Sequence, residues 1–150
     1  MIFISHRGNL EGPDPKTENT EHQISYAIEQ GFDVEVDVWL VNGELFLGHD
    51  SPLHPTSLEF LGKSSIWAHA KNFDAFVFLL ENNIHCFWHE NDERTLTSKG
   101  IVWTYPNKDT CSKSVLVVLT DKLNLKYKNL YGVCGDHVLI WKIENEQQSK

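Results

Sequence analysis

The sequence predicts an α/β fold, a reduced or incomplete TIM-type (β/α) barrel with about seven strands and few helices. Three observations carry that expectation. Apolar runs of strand length recur at 2–5, 32–40, 65–70, 85–88, 101–104, 114–119 and 131–138. Helical patterns join the first run to the second and the third to the fourth, the strand, helix, strand order of a parallel sheet. The chain has only 150 residues, where a full barrel of this type takes about 250, so helices are missing and there is room for one strand fewer.

The first run, I-F-I-S-H, ends in His6, Arg7 and Gly8. A strand that finishes this way delivers a proton carrier and a bidentate anion clamp to its rim, with glycine easing the exit turn. In the helix that follows, Thr20 and Gln23 fit a capping box, Ile24, Ala27 and Ile28 form an apolar stripe, and Gly31 suits the C-terminal cap.

In the second run, F-D-V-E-V-D-V-W-L, the side chains alternate. Val34, Val36 and Val38 share the face that suits covering helices, which turns Glu35 and Asp37 inward. Two like charges in a partly dry site are costly unless one is protonated or a cation joins them, and Mg²⁺ or Ca²⁺ is the simplest such cation. Asn42-Gly43 is a two-residue hairpin signal. Folding back on it sets Leu47 and Gly48 opposite Val38 and Asp37 and carries His49 toward the acids.

The third run places Trp67, His69 and Lys71 on one face, and a helix over 72–82 follows with Phe73, Phe76, Val77 and Leu80 at helical spacing. The fourth run ends in W-H-E-N-D, so His6, Arg7, His69, Lys71, His89 and Glu90 all fall where strands end and loops begin, the place where barrels keep their chemistry. Later connections are too short for a parallel crossover helix and hold one helical turn at most. Lys122, Lys126 and Lys128 look like a solvated loop. One domain spans 1–143, and the polar tail E-N-E-Q-Q-S-K at 144–150 is expected to fray.

Composition narrows the function. A formal net charge of −8 argues against a general nucleic-acid binder, which needs a basic surface. Cys86, Cys111 and Cys134 lack metal-type pairing and read as free thiols of a reducing compartment. No basic leader opens the chain, and no window approaches the about 18 apolar residues of a membrane span, so a cytoplasmic protein is expected. Strand edges left by an incomplete barrel favour a homodimer that covers them.

With these motifs in place, the sequence resembles the glycerophosphodiester phosphodiesterase family and, more broadly, the barrel-fold phosphodiesterases that include phosphatidylinositol phospholipase C and sphingomyelinase D. S-H-R-G at 5–8, E-N-T at 18–20, G-F-D-V-E-V-D-V at 31–38 and G-E-L-F-L-G-H-D at 43–50 carry the resemblance, in matching order across the first third of the chain. It implies that His6 and His49 are the acid/base pair, Arg7 the phosphate clamp, Glu35 and Asp37 metal ligands, and Asn19 a residue lining the site near the substrate. Past residue 50 the likeness weakens. Where the family usually offers Glu-x-Lys, this chain reads His69-Ala70-Lys71, so a third acid is missing, and either the site is weaker, or Glu90 substitutes, or a softer ion such as Mn²⁺ or Zn²⁺ is used. G-V-C-G-D-H-V at 132–138 resembles the family's last strand and places Asp136 near the rim.

The expected function is therefore a metal-dependent phosphodiester hydrolase acting on a small glycerophosphodiester or related headgroup diester. The alternative is a non-catalytic phosphate- or phosphodiester-binding module with a degenerate site, and a third reading is a lyase that stops at the cyclic phosphate. Blander roles compete residue by residue. His22, His54, His85 and His137 read as structural, Trp67, Trp88, Trp103 and Trp141 as packing, and Trp39, on the acid-pair face, as a shaper of the pocket.

Overall fold

The computed structural model describes residues 1–123 and 129–148. In chain order the elements are β1 (Ile2–His6), α1 (Glu21–Glu29), β2 (Asp33–Val41), β3 (Glu44–Leu47), β4 (His54–Pro55), α2 (Leu58–Leu61), β5 (Ile66–Ala70), α3 (Phe73–Glu81), β6 (Cys86–Phe87), β7 (Arg94–Leu96), β8 (Val102–Thr104), β9 (Ser114–Val118), β10 (Gly132–Gly135) and α4 (Val138–Gln148). Each of the seven expected runs forms a strand, and both expected helices are present.

The architecture nevertheless departs from the expected (β/α) barrel. The strands form one curled mixed sheet of ten, in the order β4-β3-β2-β1-β10-β9-β8-β7, with β5 on the other edge of β2 and β6 beyond it. Only four short helices accompany it among the described residues, so strand dominates and helices do not alternate with strands. The reason is local. The Asn42-Gly43 turn, with φ of 52° and 82°, sends the chain back as antiparallel β3, paired Val38 to Leu47 as the turn chemistry requires. β4 then adds to β3, and β7 pairs antiparallel with β8. Between parallel β8 and β9 the connection at 105–113 contains no helix.

The helices that do form have clear causes. Thr20 accepts a hydrogen bond from the Gln23 N–H at the start of α1, whose Ile24 and Ala27 are buried. Asn72 caps α3 and also grips β2, accepting from Leu40 N (3.2 Å) and donating to Leu40 O (2.8 Å). The tail differs from its expectation: residues 144–148 continue α4, which is anchored upstream by buried Val138 and by Trp141, whose ring N–H donates to Asp121 O at 2.8 Å. Of the expected lysine loop, Lys126 and Lys128 lie outside the described residues, as do Ser149 and Lys150 of the tail.

Two cores flank the sheet. One packs Val34, Val36 and Val38 against Ile24, Ala27, Ala75 and Leu79 of the helices. The other gathers Ile4, Trp67, Phe87, Trp103, Val115 and Cys134 from six different strands, which is possible only on the concave side of a strongly curled sheet. Glu35 and Asp37 lie on that concave side, since their sheet partners are His6, Trp67 and His69. The β4 edge is two residues long and ends in a proline, a blunt edge that offers a second copy little to pair with. No helix among the described residues is long and apolar enough to cross a membrane.

Candidate functional site

The end of β1 turns sharply. Arg7 and Gly8 take left-handed backbone angles, φ 56° and 89°, and a Cβ on Gly8 would approach the Gln23 side chain to 3.0 Å and its carbonyl carbon to 3.2 Å. Arg7 N–H donates to Glu35 O at 2.8 Å, locking this turn beside β2. Register does the rest, setting His6 beside Glu35 and Asp37 beside His69.

Asp37, 1% exposed, is the hub. His69 Nδ1 lies 3.2 Å from its Oδ1 and Lys71 Nζ 3.3 Å from the same oxygen, while Arg7 Nε sits 3.1 Å from Oδ2 without the alignment of a hydrogen bond. Asn19 holds it from the far side, donating to Oδ2 (2.9 Å) and accepting the Asp37 backbone N–H (3.0 Å). Burial alone would raise this carboxyl, but the His69 hydrogen bond and the Lys71 and Arg7 charges hold it well below the usual carboxylate range. Glu35, 3% exposed, goes the other way: burial, then the charge of Asp37, push it up. Its Oε1 is 3.7 Å from His69 Nδ1, and its Oε2 has no hydrogen-bond partner, His6 Nε2 being 3.9 Å away.

His6 is oriented by Asp136, whose Oδ1 lies 2.9 Å from Nδ1. A carboxylate can only accept, so the ring carries its proton on Nδ1 and turns Nε2 toward Glu35. Burial works against charging this imidazole, yet the Asp136 hydrogen bond and the Glu35 and Asp136 charges outweigh it and raise its pKa. Asn9 bridges onward, donating to Asp136 Oδ1 (2.9 Å) and Glu18 Oε2 (3.2 Å), and Glu18 Oε1 accepts from Arg7 at 3.0 Å.

His49 arrives through a backbone that only glycine permits. At Gly48 φ is 149°, and a Cβ there would stand 2.1 Å from Ser51 O. The Trp39 ring N–H donates to Gly48 O at 2.6 Å, so Trp39 braces this turn rather than shaping the pocket wall. His49 Nδ1 lies 2.7 Å from Asp50 Oδ1.

These side chains enclose a cavity of 170 Å³. His6, Arg7, Glu35, Asp37, His49 and His69 form its polar wall; Trp103, Tyr105, Val117, Leu119 and Cys134 form an apolar one, and His89 stands between them. His89 stacks on His69 (4.7 Å between centroids, 8° between planes) and meets the edge of Tyr105 (5.4 Å, 86°). Burial, then the nearby His69 and Lys71 charges, lower its pKa to about 4, so it is neutral near pH 7.

Seven of the polar residues singled out in the sequence, His89 among them, therefore line a single cavity, and Lys71 reaches it through Asp37. Two are corrected. Asn19 is buried behind Asp37 and positions it, rather than lining the cavity. Glu90 is exposed and outside the cavity, because the chain turns away after His89, so it does not stand in for the missing acid. Glu18 and Asn9 escaped notice although both lie in or beside the quoted motifs. The apolar wall carried no local signal, being single residues from three separate strands and their ends.

The donor set Glu35, Asp37 and His69 can be spanned by ligand atoms all within 4.8 Å of one another, a grouping that suits a divalent cation and leaves Glu35 Oε2 available to it. The chain matches no protein-family model, and no curated protein is similar to it.

Proposed function

We propose that this chain is a metal-dependent phosphodiester hydrolase of cytoplasmic small molecules, acting on a small glycerophosphodiester or related headgroup diester, as its resemblance to the glycerophosphodiester phosphodiesterase family implies. One observation carries the reading. Among the described residues, the buried side-chain polar atoms without a hydrogen-bond partner are Arg7 Nε, Glu35 Oε2 and His89 Nδ1, and all three residues line the same cavity. Each such orphan costs about 1–3 kcal/mol, so their convergence calls for a ligand. An orphaned cationic donor beside an orphaned carboxylate oxygen asks for a ligand with an anionic and a cationic part, which a phosphodiester with a divalent ion supplies.

In this reading Glu35 and Asp37 hold the cation, which when bound neutralises charge on the phosphoryl oxygens. Arg7, fixed by Glu18, binds a non-bridging oxygen. His6, with its proton affinity raised by Asp136, protonates the leaving alkoxide, and His49 takes the proton of the attacking oxygen. The cavity holds about the volume of five or six water molecules, enough for a phosphate and its nearest carbons, with the alcohol extending past Tyr105 and Leu119. Three free cysteines support the reducing compartment.

The test is a panel of glycerophosphodiesters incubated with purified protein and Mg²⁺, Ca²⁺, Mn²⁺ or Zn²⁺, read by ³¹P NMR. The expected result is a phosphomonoester, with kcat reduced at least about a hundredfold in His6→Ala and in His49→Ala. A cyclic phosphate that persists identifies the lyase. Thermal stabilisation by diesters with no turnover under any ion supports the binding module instead.

A further inference from the structure

We infer that His69 is a nitrogen ligand of the cation, and that the site selects Zn²⁺, a borderline transition ion, over Mg²⁺ or Ca²⁺. The inference rests on a cation occupying the site, and it adds a third donor and an ion class to the proposed function. Two carboxylates alone say nothing about which ion they prefer. The imidazole does, because hard ions take oxygen ligands almost exclusively while nitrogen suits the later first-row metals.

The His69 ring is built into place. It stacks on Phe87 (4.9 Å between centroids, 8° between planes) and on His89 (4.7 Å, 8°), and since those two rings lie 6.1 Å from each other both pack against one face of it. The ring edge carries Nδ1 to 3.2 Å from Asp37 Oδ1 and 3.7 Å from Glu35 Oε1. Stacking on two rings sets the plane of the imidazole and keeps its Nδ1 edge beside the two acids. Without the ion, Nδ1 faces Asp37 Oδ1; as a ligand, the ring would carry its proton on Nε2 and turn the Nδ1 lone pair to the metal.

A second observation points to the ion independently of this cluster's shape. Asp37 already has Lys71, Arg7 and Asn19 as partners, whereas Glu35 Oε2 is buried with no hydrogen bond. The unmet acceptor therefore lies on the carboxylate next to the His69 nitrogen.

The experiment is pulsed electron paramagnetic resonance of the full chain loaded with Mn²⁺, joined to calorimetric titration with Zn²⁺ and Mg²⁺. The wild type is expected to show electron-spin-echo modulation from a directly bound ¹⁴N, and His69→Glu is expected to lose it. In the titrations, His69→Glu should lower the ratio of Zn²⁺ to Mg²⁺ affinity by at least about tenfold. Absence of ¹⁴N modulation in the wild type overturns the inference without any variant; so does its persistence in His69→Glu, or an unchanged affinity ratio. Failure to bind any of these ions overturns both this inference and the metal in the proposed reaction. A nitrogen signature without diester turnover sinks the hydrolase and leaves the ligand assignment standing.

Discussion

The two walls of the cavity face each other across a few ångströms and differ in almost every respect. The polar wall comes from β1, β2, the turn after β3, and β5, all within the first 71 residues, and its members hold one another through ion pairs. The opposite wall comes from β8 to β10 and their ends, where Trp103, Cys134 and Val117 belong to one apolar cluster and Tyr105 and Leu119 stand 42% and 67% exposed at the mouth. The contrast teaches that this site separates binding chemistry from shape. Charge is concentrated where neighbouring strands put like residues in register, and apolar surface is contributed one residue at a time.

If that division is right, damage to the polar wall propagates. Asp37→Asn leaves Arg7 and Lys71 half-buried without their shared counter-charge, and we expect it to lower unfolding free energy by about 3–5 kcal/mol in urea denaturation. A loss under about 1 kcal/mol would erase the distinction between the walls.

Asn19→Gly sharpens the same point. Asn19 has φ 55°, which glycine adopts freely, so the substitution keeps the backbone turn while removing the buried side chain and its two hydrogen bonds to Asp37. An expected cost of about 2 kcal/mol follows from one buried bond to the Asp37 carboxylate and one from its backbone N–H, and full retention of stability would show that Asp37 is held by its cations alone.

How far the sequence disclosed this arrangement follows from the same contrast. His6, Arg7, Glu35, Asp37 and His49 were legible because strand alternation and one hairpin turn fix their phase over a few residues. His69 and Lys71 were legible from the phase of the third run. The fold was legible strand by strand and not as a whole: seven apolar runs are the same string in a helix-covered barrel and in a curled mixed sheet, and what separates them is β3, β4 and β7, short pieces with little apolar signal. Asn19 was misplaced because a motif gives proximity without direction. Trp103, Tyr105 and Leu119 meet only through tertiary curvature, which no local pattern encodes.

Two histidines carry the comparison into pH. His6 sits among acids, and its pKa is raised. His85 lies under the Trp67 ring (4.1 Å) and bonds Thr97 (3.0 Å), and burial lowers its pKa to about 4. Below pH about 6.5 the unfolded chain takes up a proton at His85 that the folded chain refuses, so the stability this residue contributes is complete above pH about 6.5 and is lost progressively toward pH 4. Relative to wild type, His85→Phe is expected to flatten the fall in melting temperature between pH 7 and 4, by about 1–2 kcal/mol of free energy. Parallel pH curves for the two proteins would contradict a neutral buried imidazole.

The smallest effect belongs to the apolar wall. Leu119→Ser should alter stability by less than about 0.5 kcal/mol, since the side chain is mostly in solvent, while raising KM for a diester several-fold with little change in kcat. A kcat loss as large as that of a polar-wall variant would mean the two walls are not functionally separate.

The most direct test of the whole account is a crystal structure of the protein with Mn²⁺ and inorganic phosphate, with the ion located by its anomalous signal. The account predicts one strong anomalous peak within coordination distance of Glu35, Asp37 and His69, and a phosphate oxygen within hydrogen-bond reach of Arg7 and His6. Mn²⁺ bound elsewhere, with the cavity filled only by ordered water, would contradict it.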